Sequence, residues 1–181
     1  MQRIFLIGYM GAGKTTLGKA LAKTMGLTFI DLDHFIEGRQ HKTVSQIFAA
    51  AGEEGFREAE RRALAEVAAY EDVVVALGGG TPCFFDNMDV VCSSGTSVYL
   101  RPTEEVLLRR LAGGRAKRPV IAALTDAELR DFIHRQLAAR EPHYLRADIH
   151  FESSHLENKA DIDEAARSLA AAISVGTSTR K

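Results

Sequence analysis

The sequence predicts a three-layer α/β/α fold: a five-stranded parallel sheet with helices on both faces. Three observations carry this expectation. Short apolar runs alternate with amphipathic helical stretches. The run at 72–77, DVVVAL, is built around three successive valines, the composition of a strand buried on both faces, as in parallel sheets. A glycine-rich loop joins the first apolar run directly to the first helix. In such sheets, ligands bind beyond the carboxyl ends of the strands, so chemistry is expected just after each strand.

Residues 4–7 read as the first strand. Leu17, Ala20, Leu21 and Met25 recur at helical spacing, and Gly26 is a natural stop. A second strand is expected at 28–31. Phe56, Ala59, Ala63, Leu64 and Val67 form the stripe of a longer helix that starts near Glu53. Strands follow at 72–77 and 97–100. Thr103 caps a helix over 104–112, with Glu104 and Glu105 at its positive end. The pattern breaks over 113–124. Thr125 with Glu128 makes a capping box for a helix running to about Arg140. A short strand at 148–151 and an alanine-rich helix over about 162–173 complete the expected domain, 1–175, leaving 176–181 as a disordered tail.

The chain has 181 residues, 46% hydrophobic and 26% charged, close to the globular average. Its net charge of −1 argues against general nucleic-acid binding, which needs a strong positive field. No apolar run approaches the ~20 residues that cross a bilayer, so no membrane association is expected. The N-terminus is too short and glycine-rich for a secretory signal. Cys83 and Cys92 show no CxxC pairing, which fits a reducing cytoplasm. The histidines show no zinc spacing.

Gly8 to Thr15, GYMGAGKT, matches GxxxxGK[ST] in full, with an apolar strand before it and an amphipathic helix after it. Glycines at 8, 11 and 13 allow backbone N–H groups to turn inward around phosphate oxygens, and the helix N-terminus adds positive charge. Gly11, Ala12, Gly13, Lys14, Thr15 and Thr16 are the expected ATP-phosphate cradle. Lys14 would reach the β- and γ-phosphates and Thr15 would hold Mg²⁺.

The strand at 72–77 ends in Gly78, Gly79 and Gly80 instead of a metal-binding carboxylate. Three glycines there signal either a close approach to the backbone or a flexible turn. The carboxylates stand in Asp31-Leu-Asp33 after the second strand. In extended chain, residues two apart share a face, so both could meet the crevice. Asp33 is the expected base for an acceptor hydroxyl and Asp31 the expected metal support. Asp33 could also cap a helix over 34–40.

Glu60 lies on the buried stripe of its helix and needs a partner. Arg57, three residues earlier, is within reach. The pair reads either as a preorganised fork for a substrate carboxylate or as an ordinary helix-surface ion pair. The stretch 101–118 holds six basic residues against two acidic ones. It reads as a glycine-hinged lid over phosphates, about 113–124, with Arg118 stabilising the moving phosphoryl charge. A solvated face or weak RNA contact is the competing reading. Arg140 is either a substrate ligand or a partner of its helix dipole. Asn158-Lys-Ala-Asp161 matches a guanine-selecting NKxD pattern but lacks the apolar strand that should precede it. Asp161 with Glu164 reads instead as a helix cap. Nothing around Cys83 marks it as a reactive thiol.

Taken together, GYMGAGKT (8–15), FIDLD (29–33), GEEGFREAE (52–60), LGGG (77–80), RP (118–119) and REPHY (140–144) resemble the shikimate kinase family, from about residue 4 to 151. The resemblance implies a fold of the nucleoside monophosphate kinase type with strand order 2-3-1-4-5. It implies transfer of the ATP γ-phosphate to the 3-hydroxyl of shikimate, in aromatic amino-acid biosynthesis. Helices over about 34–62 would form the substrate-binding region. By the same resemblance Asp33 meets the reacting hydroxyls, and Arg57, Gly79, Gly80 and Arg140 bind shikimate. Arg118 comes from the lid and Arg110 packs on adenine. The lid is rather basic for that family, and the loop near 152–158 matches only loosely. A monomer is expected, with ATP and shikimate as its only partners. The rival expectations are a kinase for another hydroxy acid, such as gluconate, and a nucleotide switch without an acceptor. The switch is disfavoured because no DxxG element follows the phosphate loop.

Overall fold

The computed structural model describes residues 1–115 and 120–178. Five strands, β1 (Arg3–Ile7), β2 (Thr28–Asp31), β3 (Val73–Ala76), β4 (Thr96–Leu100) and β5 (Ile149–Phe151), form one sheet of order β2-β3-β1-β4-β5. Every pairing is parallel. The parallel sheet and the strand order implied by the resemblance are therefore both present.

Alternation along β1 builds two cores. Phe5 and Ile7 face one side, together with Val73 and Val75. There they pack against helices α2 (Leu32–Gln40), α3 (Val44–Val67), α4 (Asn87–Ser94), α5 (Glu104–Gly113) and α6 (Asp126–Tyr144). Ile4 and Leu6 face the other side with Val74 and Val98, against α1 (Lys14–Met25) and α7 (Lys159–Ser178).

Several helices depart from expectation. The α3 element begins at Val44, with a Thr43–Gln46 capping box, and is broken by Gly52 at φ 68°. The expected start near Glu53 therefore marks its second segment. Between β3 and β4 lie a 3-10 turn, Thr81–Cys83, and α4, neither of which the sequence announced. The α6 helix runs past Arg140 to Tyr144, with Pro142 in its last turn, where the missing N–H leaves out one i→i−4 hydrogen bond. Asn158, not Asp161, caps α7: its side chain accepts from the Asp161 N–H at 3.0 Å. That contact accounts for the NKxD match. The helix continues to Ser178, into the segment expected to be a disordered tail. No helix among the described residues is long and apolar enough to cross a membrane.

Candidate active site

The carboxyl ends of β1, β2 and β3 converge on one rim. After β1, the loop turns through Gly8 (φ 138°), Gly11 (φ 82°) and Gly13 (φ 98°) before entering α1. A Cβ at Gly8 would stand 2.6 Å from the Leu100 carbonyl oxygen, so both the conformation and the space demand glycine. Lys14 folds back over this loop, its Nζ donating to the carbonyls of Gly8 at 2.7 Å and Tyr9 at 3.0 Å. Burial lowers its pKa to about 8, against the opposing pull of Asp33 and Asp31.

A cavity of about 420 Å³ opens beside the loop, lined by Gly11, Gly13, Lys14, Thr15, Thr16, Arg110 and Leu156. Ala12 is fully buried under it. Arg110, from α5, reaches across to the carbonyls of Gly11, Ser153 and Ser154 at 3.0–3.2 Å, and its burial lowers its pKa. Ser153 in turn donates to the Ala12 carbonyl at 3.1 Å. The loosely matching segment after β5 thus forms one wall of the cavity, with Leu156 against Gly13.

At the end of β2, the Thr15 hydroxyl donates to Asp31 at 2.8 Å. A hydroxyl and a carboxylate in contact are hard oxygen donors that suit Mg²⁺, an ion that keeps several waters and takes few protein ligands. Asp31 also caps α2, accepting from the His34 N–H. Asp33 therefore does not cap α2, as one alternative had it. It lies in the helix's first turn rather than in extended chain, so the shared-face argument for the two carboxylates fails. They still meet the same rim, because the helix begins immediately after Asp31. Burial raises the Asp33 pKa to about 6, with Glu60, Asp31 and Glu37 adding to the shift and Lys14 opposing it.

The three glycines after β3 tie these groups together. A Cβ at Gly78 would lie 2.9 Å from Glu60 Oε1 and 3.0 Å from Asp33 Oδ1. At Gly79 it would lie 3.3 Å from the Met10 nitrogen and 3.7 Å from Arg140 Nη1, and at Gly80 only 2.8 Å from Arg57 Nη1. The triplet is a close approach, not a flexible turn. Glu60, 1% exposed, accepts from Arg57 at 2.6 Å and from the Thr81 hydroxyl at 2.5 Å. The Arg57–Glu60 pair is buried and networked, unlike a surface ion pair. Arg140 accompanies Gln136 at 2.8 Å and lies over the Tyr9 ring. The Tyr144 hydroxyl donates to the Gly79 carbonyl. Thr81, Phe84, Tyr144, Ser153 and Leu156 escaped the sequence reading, because their contacts cross between elements and leave no spacing pattern. Arg118 lies outside the described residues, as does Lys117; elsewhere in the expected lid, Arg115 donates to the Leu124 carbonyl at 2.6 Å and pairs with Asp126. No group of three or more His, Cys, Asp or Glu side chains suited to a metal gathers among the described residues.

The sequence model of the shikimate kinase family matches residues 10–171. The chain belongs to the shikimate kinase family. It is 56% identical to the shikimate kinase of Phocaeicola vulgatus over 169 residues, 93% of this chain and 97% of that one. Its fold superposes on the crystal structure of shikimate kinase from Bacteroides thetaiotaomicron with a TM-score of 0.92 at 47% identity, covering 96% of this chain and 98% of that one. Shikimate kinase from Acinetobacter baumannii, solved in complex with shikimate, matches with a TM-score of 0.83 at 32% identity, over 97% and 94% of the two chains.

Proposed function

We propose that this chain transfers the γ-phosphoryl group of ATP to the 3-hydroxyl of shikimate, as a monomeric cytoplasmic enzyme with Mg²⁺, in the route to aromatic amino acids. The observation that carries the site assignment is the Gly78–Gly80 turn. Its three bare α-carbons lie against Asp33, the phosphate loop, Arg140 and Arg57 in succession. A small acid lodged there would be within reach of a base, two guanidinium groups and the terminal phosphate at once.

Backbone N–H groups of Gly11 to Thr16 and the ammonium of Lys14 would take the phosphates. Lys14 exchanges the Gly8 and Tyr9 carbonyls for phosphate oxygens when the nucleotide enters. Mg²⁺, held by Thr15 and Asp31, would neutralise charge on the phosphate oxygens. Arg57 and Arg140 hold the acid's carboxylate, which fixes its ring against Gly79 and Gly80. Asp33 accepts the proton of the attacking hydroxyl. The new O–P bond forms as the bond from γ-phosphorus to the bridging oxygen breaks, and ADP leaves. A pKa near 6 leaves Asp33 ionised at neutral pH yet more basic than an ordinary carboxylate. Arg118 is given the transferring group, and Arg110 the adenine side, on the family motif.

ADP release from ATP and Mg²⁺, measured with shikimate, with gluconate and with no acceptor, tests the reading. Turnover that depends on shikimate is the expected result. Turnover with gluconate alone would move the enzyme to another acceptor, and acceptor-independent hydrolysis would make it a nucleotide switch.

A further inference from the structure

Two consecutive phenylalanines follow the glycine turn, and each meets an arginine of α3. Arg57 Cζ lies 4.1 Å from the centre of the Phe84 ring, and Arg61 Cζ lies 5.2 Å from that of Phe85. Arg57 and Arg61 are four residues apart, so they leave one face of the helix on successive turns. In a plain extended segment, adjacent side chains point to opposite sides, and Phe84 is extended at φ −119°. Phe85 instead takes a left-handed φ of 51°, rare for a bulky side chain. That turn brings both rings to the same helix. Asp86 fastens it, accepting from Arg61 Nε at 3.1 Å.

The strained aromatic pair sits beside the group that matters most for the acid. The Arg57 guanidinium is bounded by Glu60, by Glu53 at 3.1 Å and by the bare Gly80 α-carbon. Its Nε is buried and has no hydrogen-bond partner among the described residues. At that edge, packing rather than hydrogen bonding sets the guanidinium plane. A ring face at stacking distance attracts a cation and fixes a planar one. We propose that Phe84 is a positioning residue for substrate: its ring orders the Arg57 guanidinium before the acid's carboxylate arrives. Preordering lowers the cost of binding without touching the reacting atoms. The inference rests on Arg57 being a carboxylate ligand, as the proposed function has it.

Steady-state kinetics of Phe84→Leu and Phe84→Tyr, alone and with Arg57→Ala, test the inference. Leucine keeps the apolar volume but has no π face. Phe84→Leu should raise the shikimate KM by ~5-fold, the loss of one well-placed cation–π contact, with kcat within about 2-fold and the ATP KM unchanged. Phe84→Tyr should retain the wild-type KM. In the Arg57→Ala background, Phe84→Leu should add nothing, because partners in one interaction are not additive. Should leucine unfold the chain, pentafluorophenylalanine at position 84 keeps the shape while weakening the quadrupole, and the same KM rise is expected. An unchanged KM in Phe84→Leu or with pentafluorophenylalanine overturns the inference, as does an equal loss in Phe84→Tyr or a full KM effect without Arg57. Absence of shikimate-dependent turnover in the unmodified protein would instead overturn the proposed function.

Discussion

Asp33 and Lys14 face each other across the rim, and burial pushes both towards neutrality, the carboxylate up to about 6 and the ammonium down to about 8. The proposed transfer uses Asp33 as an ionised base and Lys14 as a charged phosphate ligand. kcat/KM for ATP should therefore trace a bell, falling below pH ~6 as Asp33 protonates and above pH ~8 as Lys14 loses its proton. Stability has its own sign. The folded pKa of Asp33 lies above its unfolded value near 3.9, so the unfolded chain releases this proton first as pH rises. The folded state loses stability between about pH 4 and 6, on the order of 3 kcal/mol. Asp33→Asn should thus abolish turnover yet raise the melting temperature at pH 7. A neutral variant that melts lower would show that Asp33 is not held as a strained carboxylate. Lys14 and Thr15 are legible in the sequence because their spacing is local, one loop and one helix turn. Tyr144 and Thr81 are not, because the partners they hold, Gly79 and Glu60, are 65 and 21 residues away.

Among the elements, the glycine turn after β3 does what no side chain could. Gly80 has φ −88° and ψ −24°, a conformation alanine adopts freely. Only the neighbouring guanidinium, 2.8 Å from the added carbon, opposes a substitution. Gly80→Ala should therefore spare folding but displace Arg57, whose far end can yield. Losing one charge-assisted hydrogen bond to the acid corresponds to about 10-fold in KM for shikimate or more, with the ATP KM unchanged. An equal effect on both substrates would detach Gly80 from the acid pocket. The glycine triplet stood out in the sequence, and so did the buried Glu60 on its helical stripe. The break in α3 at Gly52 and the start of α2 at Leu32 did not. A left-handed glycine and an aspartate cap look the same in a sequence whether they join two helices or end one. The 3-10 turn and α4 were hidden for a related reason, since an eight-residue helix carries barely two turns of periodicity.

Across the whole molecule, the two sheet faces meet at the site. The α1 helix, seated on one core, supplies the phosphate cradle, while α2, α3 and α6, seated on the other, supply Asp33, Arg57 and Arg140. Strand alternation in the sequence predicted both faces, but strand order rests on pairings between distant segments, and only the family resemblance supplied it. A nucleotide bound in the cavity beside the loop would also meet Arg110, carried by α5 on the other core, so it would bridge elements from both cores. If the chain is one cooperative unit, ligand binding must stabilise all of it together. A non-hydrolysable ATP analogue with Mg²⁺ at ~100 times its Kd adds about 2.7 kcal/mol. For a chain of this size, that corresponds to a rise of roughly 5–10 °C in Tm. Calorimetry should show one transition that moves as a whole. A second transition that stays in place as the first one shifts would divide the chain into independent units and detach the acid-binding helices from the phosphate loop.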